Sequence, residues 1–119
     1  MTREEFEKLV TQAIEGLPEK FLDRLDNIVI MVESWPSPQT LQHIGVAPRG
    51  LLFGLYQGTP KTKRTKGTVF PDKITIFAGP ILVVSRTKDD VRNKVSSVVK
   101  HEIAHHFGLD EASIRKTGH

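Results

Sequence analysis

Residues 101–111 read His-Glu-Ile-Ala-His-His-Phe-Gly-Leu-Asp-Glu. On an α-helix successive residues advance by about 100°, so His101 and His105 lie about 40° apart on one face. Two neutral imidazoles one turn apart form half of a tetrahedral Zn²⁺ site. Glu102, beside the first of them, is placed to take a proton from a metal-held water, which makes it the candidate general base. Gly108 stands where such a helix would stop, and two carboxylates, Asp110 and Glu111, follow directly. The plainer alternative is a charged helix end whose histidines pack or face water. The late position in an apolar-periodic helix, the Gly stop and the waiting carboxylates favour the metal.

A helix must carry this stretch, and the preceding residues describe one. Thr87 is a candidate N-cap, with Asp89 and Asp90 in the first turn to complement the helix dipole. Val91, Val95, Val98 and Val99 define its core-facing side. Projected onto that side, Glu102 and His105 fall close to the apolar stripe with His101 beside it, so the chemistry is aimed at the protein body. Polar groups placed there need partners, and a metal supplies them. His106 is outside the motif and is expected to pack near Val99 and Ile103 or to act as a supporting donor.

The rest of the chain supplies scaffold. Thr2-Arg3-Glu4-Glu5 has the form of a capping box, and Phe6, Leu9, Val10, Ala13, Ile14 and Leu17 repeat at helical spacing. Gly16 and Pro18 end that helix, and Phe21, Leu22 and Leu25 mark a shorter second one. Ile28–Val32 is a continuous β-rich run, which predicts a central strand buried on both faces. Trp35 is expected to plug the core at its end, before a loop over residues 36–50 with a helical turn near Thr40–Ile44 and a surface His43. Leu51–Tyr56 predicts a second strand in which Gly54 permits a bulge or a close backbone approach. Lys73–Ala78 alternates well and predicts a third, with residues 74–77 as either an edge that an extended peptide would pair with or an ordinary edge strand without a ligand. Ile81–Val84 fits either a short strand or a helical turn begun by Pro80. The fold class is α+β: a small mixed sheet of three to four strands packed against N-terminal helices and the long motif helix.

At 119 residues the chain reads as a single domain over residues 1–119, with 38% hydrophobic and 26% charged residues, ordinary for a soluble globular protein. No apolar run reaches the ~20 residues a membrane helix needs and no signal-peptide pattern opens it, so the expected address is the cytoplasm. The chain has no cysteine, so a metal must be held by His, Asp, Glu and water. The net charge is +3 and the pI about 9.3. Much of that excess lies in Lys61-Thr62-Lys63-Arg64-Thr65-Lys66. Without interleaved aromatics this stretch reads as a solvated loop rather than a nucleic-acid surface.

The stretch Val98–Glu111 resembles the minimal zincin-like metallopeptidase family of small bacterial domains. The likeness extends to Leu52-Phe53-Gly54-Leu55-Tyr56-Gln57-Gly58 and to Pro71-Asp72-Lys73-Ile74-Thr75-Ile76-Phe77, covering most of the chain from about Gly50 onward. It implies a minimal zincin fold and a zinc peptidase activity on a peptide or protein substrate. Catalytic zinc usually has three protein ligands and a water, so one more is required. Thermolysin-like enzymes draw a Glu from a later helix, for which the 14 residues after His105 leave little room. Metzincins place a third His at the position that Glu111 occupies here, and need a later Met-turn, whereas Met1 and Met31 both precede the motif. The candidates are Glu111, Asp110 and the terminal His119. Spacing and the family pattern favour Glu111, and Asp110 suits the N-cap of a final helix at Ala112–Lys116. The expected reaction is hydrolysis with His101, His105 and Glu111 or Asp110 on Zn²⁺ and Glu102 moving protons. Two other classes are a zinc-binding regulatory or interaction module without turnover, and a nucleic-acid-associated protein using residues 61–66.

Overall fold

The computed structural model describes residues 1–23, 25, 27–45, 51–58 and 72–107. Helix α1 (Arg3–Glu15) opens the chain behind the capping box of Thr2 and Glu5, and a single turn, α2 (Glu19–Leu22), follows Pro18. Strand β1 (Ile28–Glu33) leads to α3 (Pro38–Ile44), which Ser37 caps and Gly45 ends at φ 80°. Strands β2 (Gly54–Gln57) and β3 (Asp72–Phe77) come next, then α4 (Ala78–Val84) and the 19-residue α5 (Lys88–His106). The α+β class therefore holds, with three strands in the sheet among the described residues. The basic stretch 61–66 and everything beyond Phe107, including Asp110, Glu111 and His119, lie outside the described residues.

The sheet order is β1-β3-β2, with β3 parallel to β1 and antiparallel to β2. Two sequence expectations fail here. Among the described residues Ile28–Val32 is an edge strand rather than a central one: Val29 is 43% and Met31 40% exposed, while Val32 is buried. Conversely, residues 74–77 are not an edge, because β3 is paired on both sides and its backbone donors are spent on neighbours. A continuous aliphatic run points to a strand buried on both faces, but one face of β1 meets solvent; hydrophobicity alone does not report position within a sheet.

One sheet face builds the core. Val32, Ile74 and Ile76 pack with Phe6 and Val10 of α1 and with Val95, Val99 and Ile103 of α5. Burying such an aliphatic or aromatic side chain contributes about 1.5–3 kcal/mol. The α5 valines thus fix the helix's rotation against the sheet. Residues 81–84 are helical, as α4. Trp35 is not a core plug: it is 55% exposed, with its indole laid on the backbone of Gly79, where a Cβ would come within 2.2 Å of the ring.

Candidate metal centre

Thr87 begins α5 with a full capping box, accepting from the Asp90 amide while Asp90 accepts from the Thr87 amide. From there the helix runs unbroken through the motif, and its buried stripe passes through Val91, Val95, Val98, Val99, Glu102, Ile103, Ala104 and His106. His101 and His105 sit on the flank of the stripe, half-buried. The helical projection expects His105 close to the stripe; the histidine within it is His106, because α5 turns its Val95–Val99–Ile103 ridge squarely onto the sheet.

The imidazoles of His101 and His105 converge. Their Nε2 atoms are 3.2 Å apart and the ring planes stand at 72°. Two nitrogens bound to one tetrahedral zinc at 2.0–2.1 Å lie about 3.3 Å from each other. The observed separation matches that edge. It also matches an N–H···N hydrogen bond between opposite tautomers, so the donor chemistry fits a cation without requiring one. Among the described residues no group of three or more His, Asp or Glu side chains gathers at one point, and the sequence candidates for a third donor, Asp110 and Glu111, fall beyond Phe107.

Glu102 is only 7% exposed and lies against β2. A Cβ on Gly54 would stand 3.1 Å from Glu102 Cγ, 3.4 Å from Glu102 Oε2 and 2.7 Å from Val98 Cγ1. The expected close backbone approach at Gly54 is thus the contact that lets the motif helix and β2 touch. A cavity of about 270 Å³ runs beside this contact, walled by Leu51–Gly54 on one side and by Lys94, Val98, His101 and Glu102 on the other. With β3 interior, β2 is the strand that borders this cavity and, among the described residues, forms an edge of the sheet.

One buried cluster escaped the sequence reading. His106 Nδ1 is 2.7 Å from Asp72 Oδ2, and the Tyr56 hydroxyl donates to the same oxygen at 2.6 Å. Asp72 is 2% and His106 0% exposed. The Gly58 backbone closes over the carboxylate, since a Cβ there would come within 2.4 Å of Asp72 Oδ1. Tyr56 comes from β2, Asp72 from the start of β3 and His106 from the last turn of α5. The three side chains pin the end of the motif helix to both strands, one turn beyond Glu102. His106 therefore supports through Asp72 rather than through a motif histidine. Its Nε2 is buried and has no hydrogen-bond partner among the described residues. The doubled histidine at 105–106 was the available signal.

Comparison with known proteins agrees with this layout. Among solved structures, the chain is similar to a conserved hypothetical protein from Thermo thermophilus, with 26% identity, a TM-score of 0.59, and coverage of 90% of this chain and 94% of that one. No curated protein matches it. The family model for zincin-like metallopeptidases matches residues 25–119, from before β1 through the motif helix to the C-terminus. A His-Glu-x-x-His helix laid against a three-stranded sheet, within a sequence that this model spans, makes the chain a member of the zincin-like metallopeptidase family.

Proposed function

We propose that the protein is a zinc-dependent hydrolase acting on peptide bonds. The observation that carries this reading is the convergence of His101 and His105 at 3.2 Å, the donor spacing of a tetrahedral site. These two residues would hold the ion, with Glu111 or Asp110 supplying the third protein ligand and water the fourth position. The ion, when bound, lowers the water's pKa toward ~7 and polarises the scissile carbonyl. Glu102, on the same helix one residue past the first ligand, would accept the water's proton and return it to the leaving amine. Its burial against Gly54 keeps the carboxylate at the cavity wall, beside β2. An extended substrate would pair with the outer edge of β2 rather than with residues 74–77.

A second reading is a metal-binding module without turnover. Metal analysis combined with a peptide-library assay on wild type and Glu102→Gln separates the two. The hydrolase reading expects one zinc per chain and turnover that falls at least about a hundredfold in the variant. Stoichiometric zinc with no cleavage of any peptide favours the module. Turnover surviving Glu102→Gln contradicts the role given to Glu102.

A further inference from the structure

Among the described residues, the cavity beside Glu102 and His101 contains one cation whose charge the protein does not use. Lys94 lies on its wall with Nζ 4.0 Å from the centroid of Phe53. The ring, on the run-in to β2, holds the lysine stem in place without neutralising it. Asp90 is the acid best spaced along α5 to pair with Lys94, four residues earlier. Its Oδ2 instead accepts the Arg86 and Thr87 amides at the helix N-cap. Lys94 is half-buried, its stem lying beside the apolar walls Leu51, Leu52, Phe53 and Val98.

The groove does not stop at Lys94. Lys94 and Ser97 also line a second cavity of about 560 Å³, which reaches Arg86. Along this path the charged groups are Lys94 and Arg86 against Asp90, whose carboxylate is engaged at the cap, and Glu102, which stands two helical turns beyond Lys94 at the other end of the first cavity. We infer that this groove is a substrate subsite for a carboxylate, with Lys94 as the specificity-determining residue. The inference rests on the peptidase reading for which bond is cut, but not for what the groove binds. Lys94 precedes His101 by seven residues, two helical turns or about 10 Å along the axis. An extended peptide advances ~3.3 Å per residue. The recognised carboxylate, a Glu or Asp side chain or the peptide's own C-terminus, thus sits about three residues from the hydrolysed bond.

The test uses the full-length, zinc-loaded Glu102→Gln protein, so that binding is read without turnover. Fluorescein-labelled decapeptides of alanine and leucine are titrated by anisotropy, each carrying one Glu or the matched Gln, with a free or amidated C-terminus. Acidic peptides are expected to bind about five- to tenfold more tightly than their neutral partners. Lys94→Met, which keeps the stem over Phe53, should erase the difference, and Lys94→Arg should restore most of it. The Glu and C-terminal arms identify which carboxylate is read. Equal affinity of acidic and neutral peptides, a preference that survives Lys94→Met, or no binding by any peptide would each overturn the inference. Hydrolysis by the wild-type protein is scored separately. Acid-selective binding without hydrolysis sinks the peptidase reading alone, and hydrolysis without acid preference sinks this one alone.

Discussion

Replacing Asp72 by alanine tests whether the buried cluster really ties α5 to the sheet. In the native protein Asp72 Oδ2 receives the Tyr56 hydroxyl at 2.6 Å and stands 2.7 Å from His106 Nδ1. The substitution takes that acceptor from both groups, and His106 Nε2 already lacks a partner among the described residues. Taking the shared acceptor from a buried donor costs about 1–3 kcal/mol, and two groups lose it here. Solvent cannot soften the loss, since Asp72 and His106 are 2% and 0% exposed. Asp72→Ala should therefore destabilise by about 2–6 kcal/mol, which at about 4 °C per kcal/mol lowers Tm by about 8–24 °C. Urea and thermal denaturation followed by circular dichroism measure this directly. His106→Leu removes the imidazole from the same cluster, so the double variant should cost less than the sum of the singles. A loss below about 1 kcal/mol for Asp72→Ala, or an additive cycle, would refute the argument. Tyr56→Phe, which deletes one donor and leaves the pair, should cost only about 0.5–1.5 kcal/mol.

Gly54→Ala pushes a methyl to 2.7 Å from Val98 Cγ1 and 3.1 Å from Glu102 Cγ. Overpacking of this kind costs about 1–3 kcal/mol, and the variant's Tm should fall accordingly; an unchanged Tm would mean that β2 and α5 are not in contact there. At the other end of the chain, the Thr2 backbone amide, then its hydroxyl, hold the Glu5 carboxyl below the ordinary glutamate range. A depressed folded value means the cap's contribution is present above the unfolded pKa and disappears as pH falls through the folded one. Acid titration of wild type against Glu5→Gln should show this step below about pH 4 in the wild type alone, and identical profiles would remove Glu5 from the cap.

The motif helix is legible in the sequence because its signals are local: a capping box at Thr87 and Asp90, valines at helical spacing, and histidines one turn apart. Gly54 is legible for a similar reason, since the missing side chain marks a close approach before the neighbour is known. Strand placement is not. Whether Ile28–Val32 or residues 74–77 occupies the middle of the sheet depends on which strands pair across the chain, and both sequences are aliphatic enough for either place. The Asp72 cluster stays hidden because its members are 16 and 34 residues apart and each looks ordinary alone. An aspartate before a strand suggests a turn, and a histidine beside the motif suggests redundancy. Only their meeting at one buried oxygen gives them a shared task.

Helix α1 does more than cover hydrophobic side chains. The Asn27 carbonyl of the chain leading into β1 faces β3, so by strand alternation the Val32 carbonyl points outward, and a guanidinium nitrogen of Arg3 donates to it. The first turn of α1 thus covers the side of β1 that no described strand pairs with, along the apolar run Ile28–Val32, whose Val29 and Met31 already meet water. Peeling away that turn would unmask a sticky border ready to template a neighbouring chain. Damage at the N-terminus would therefore declare itself first as clumping.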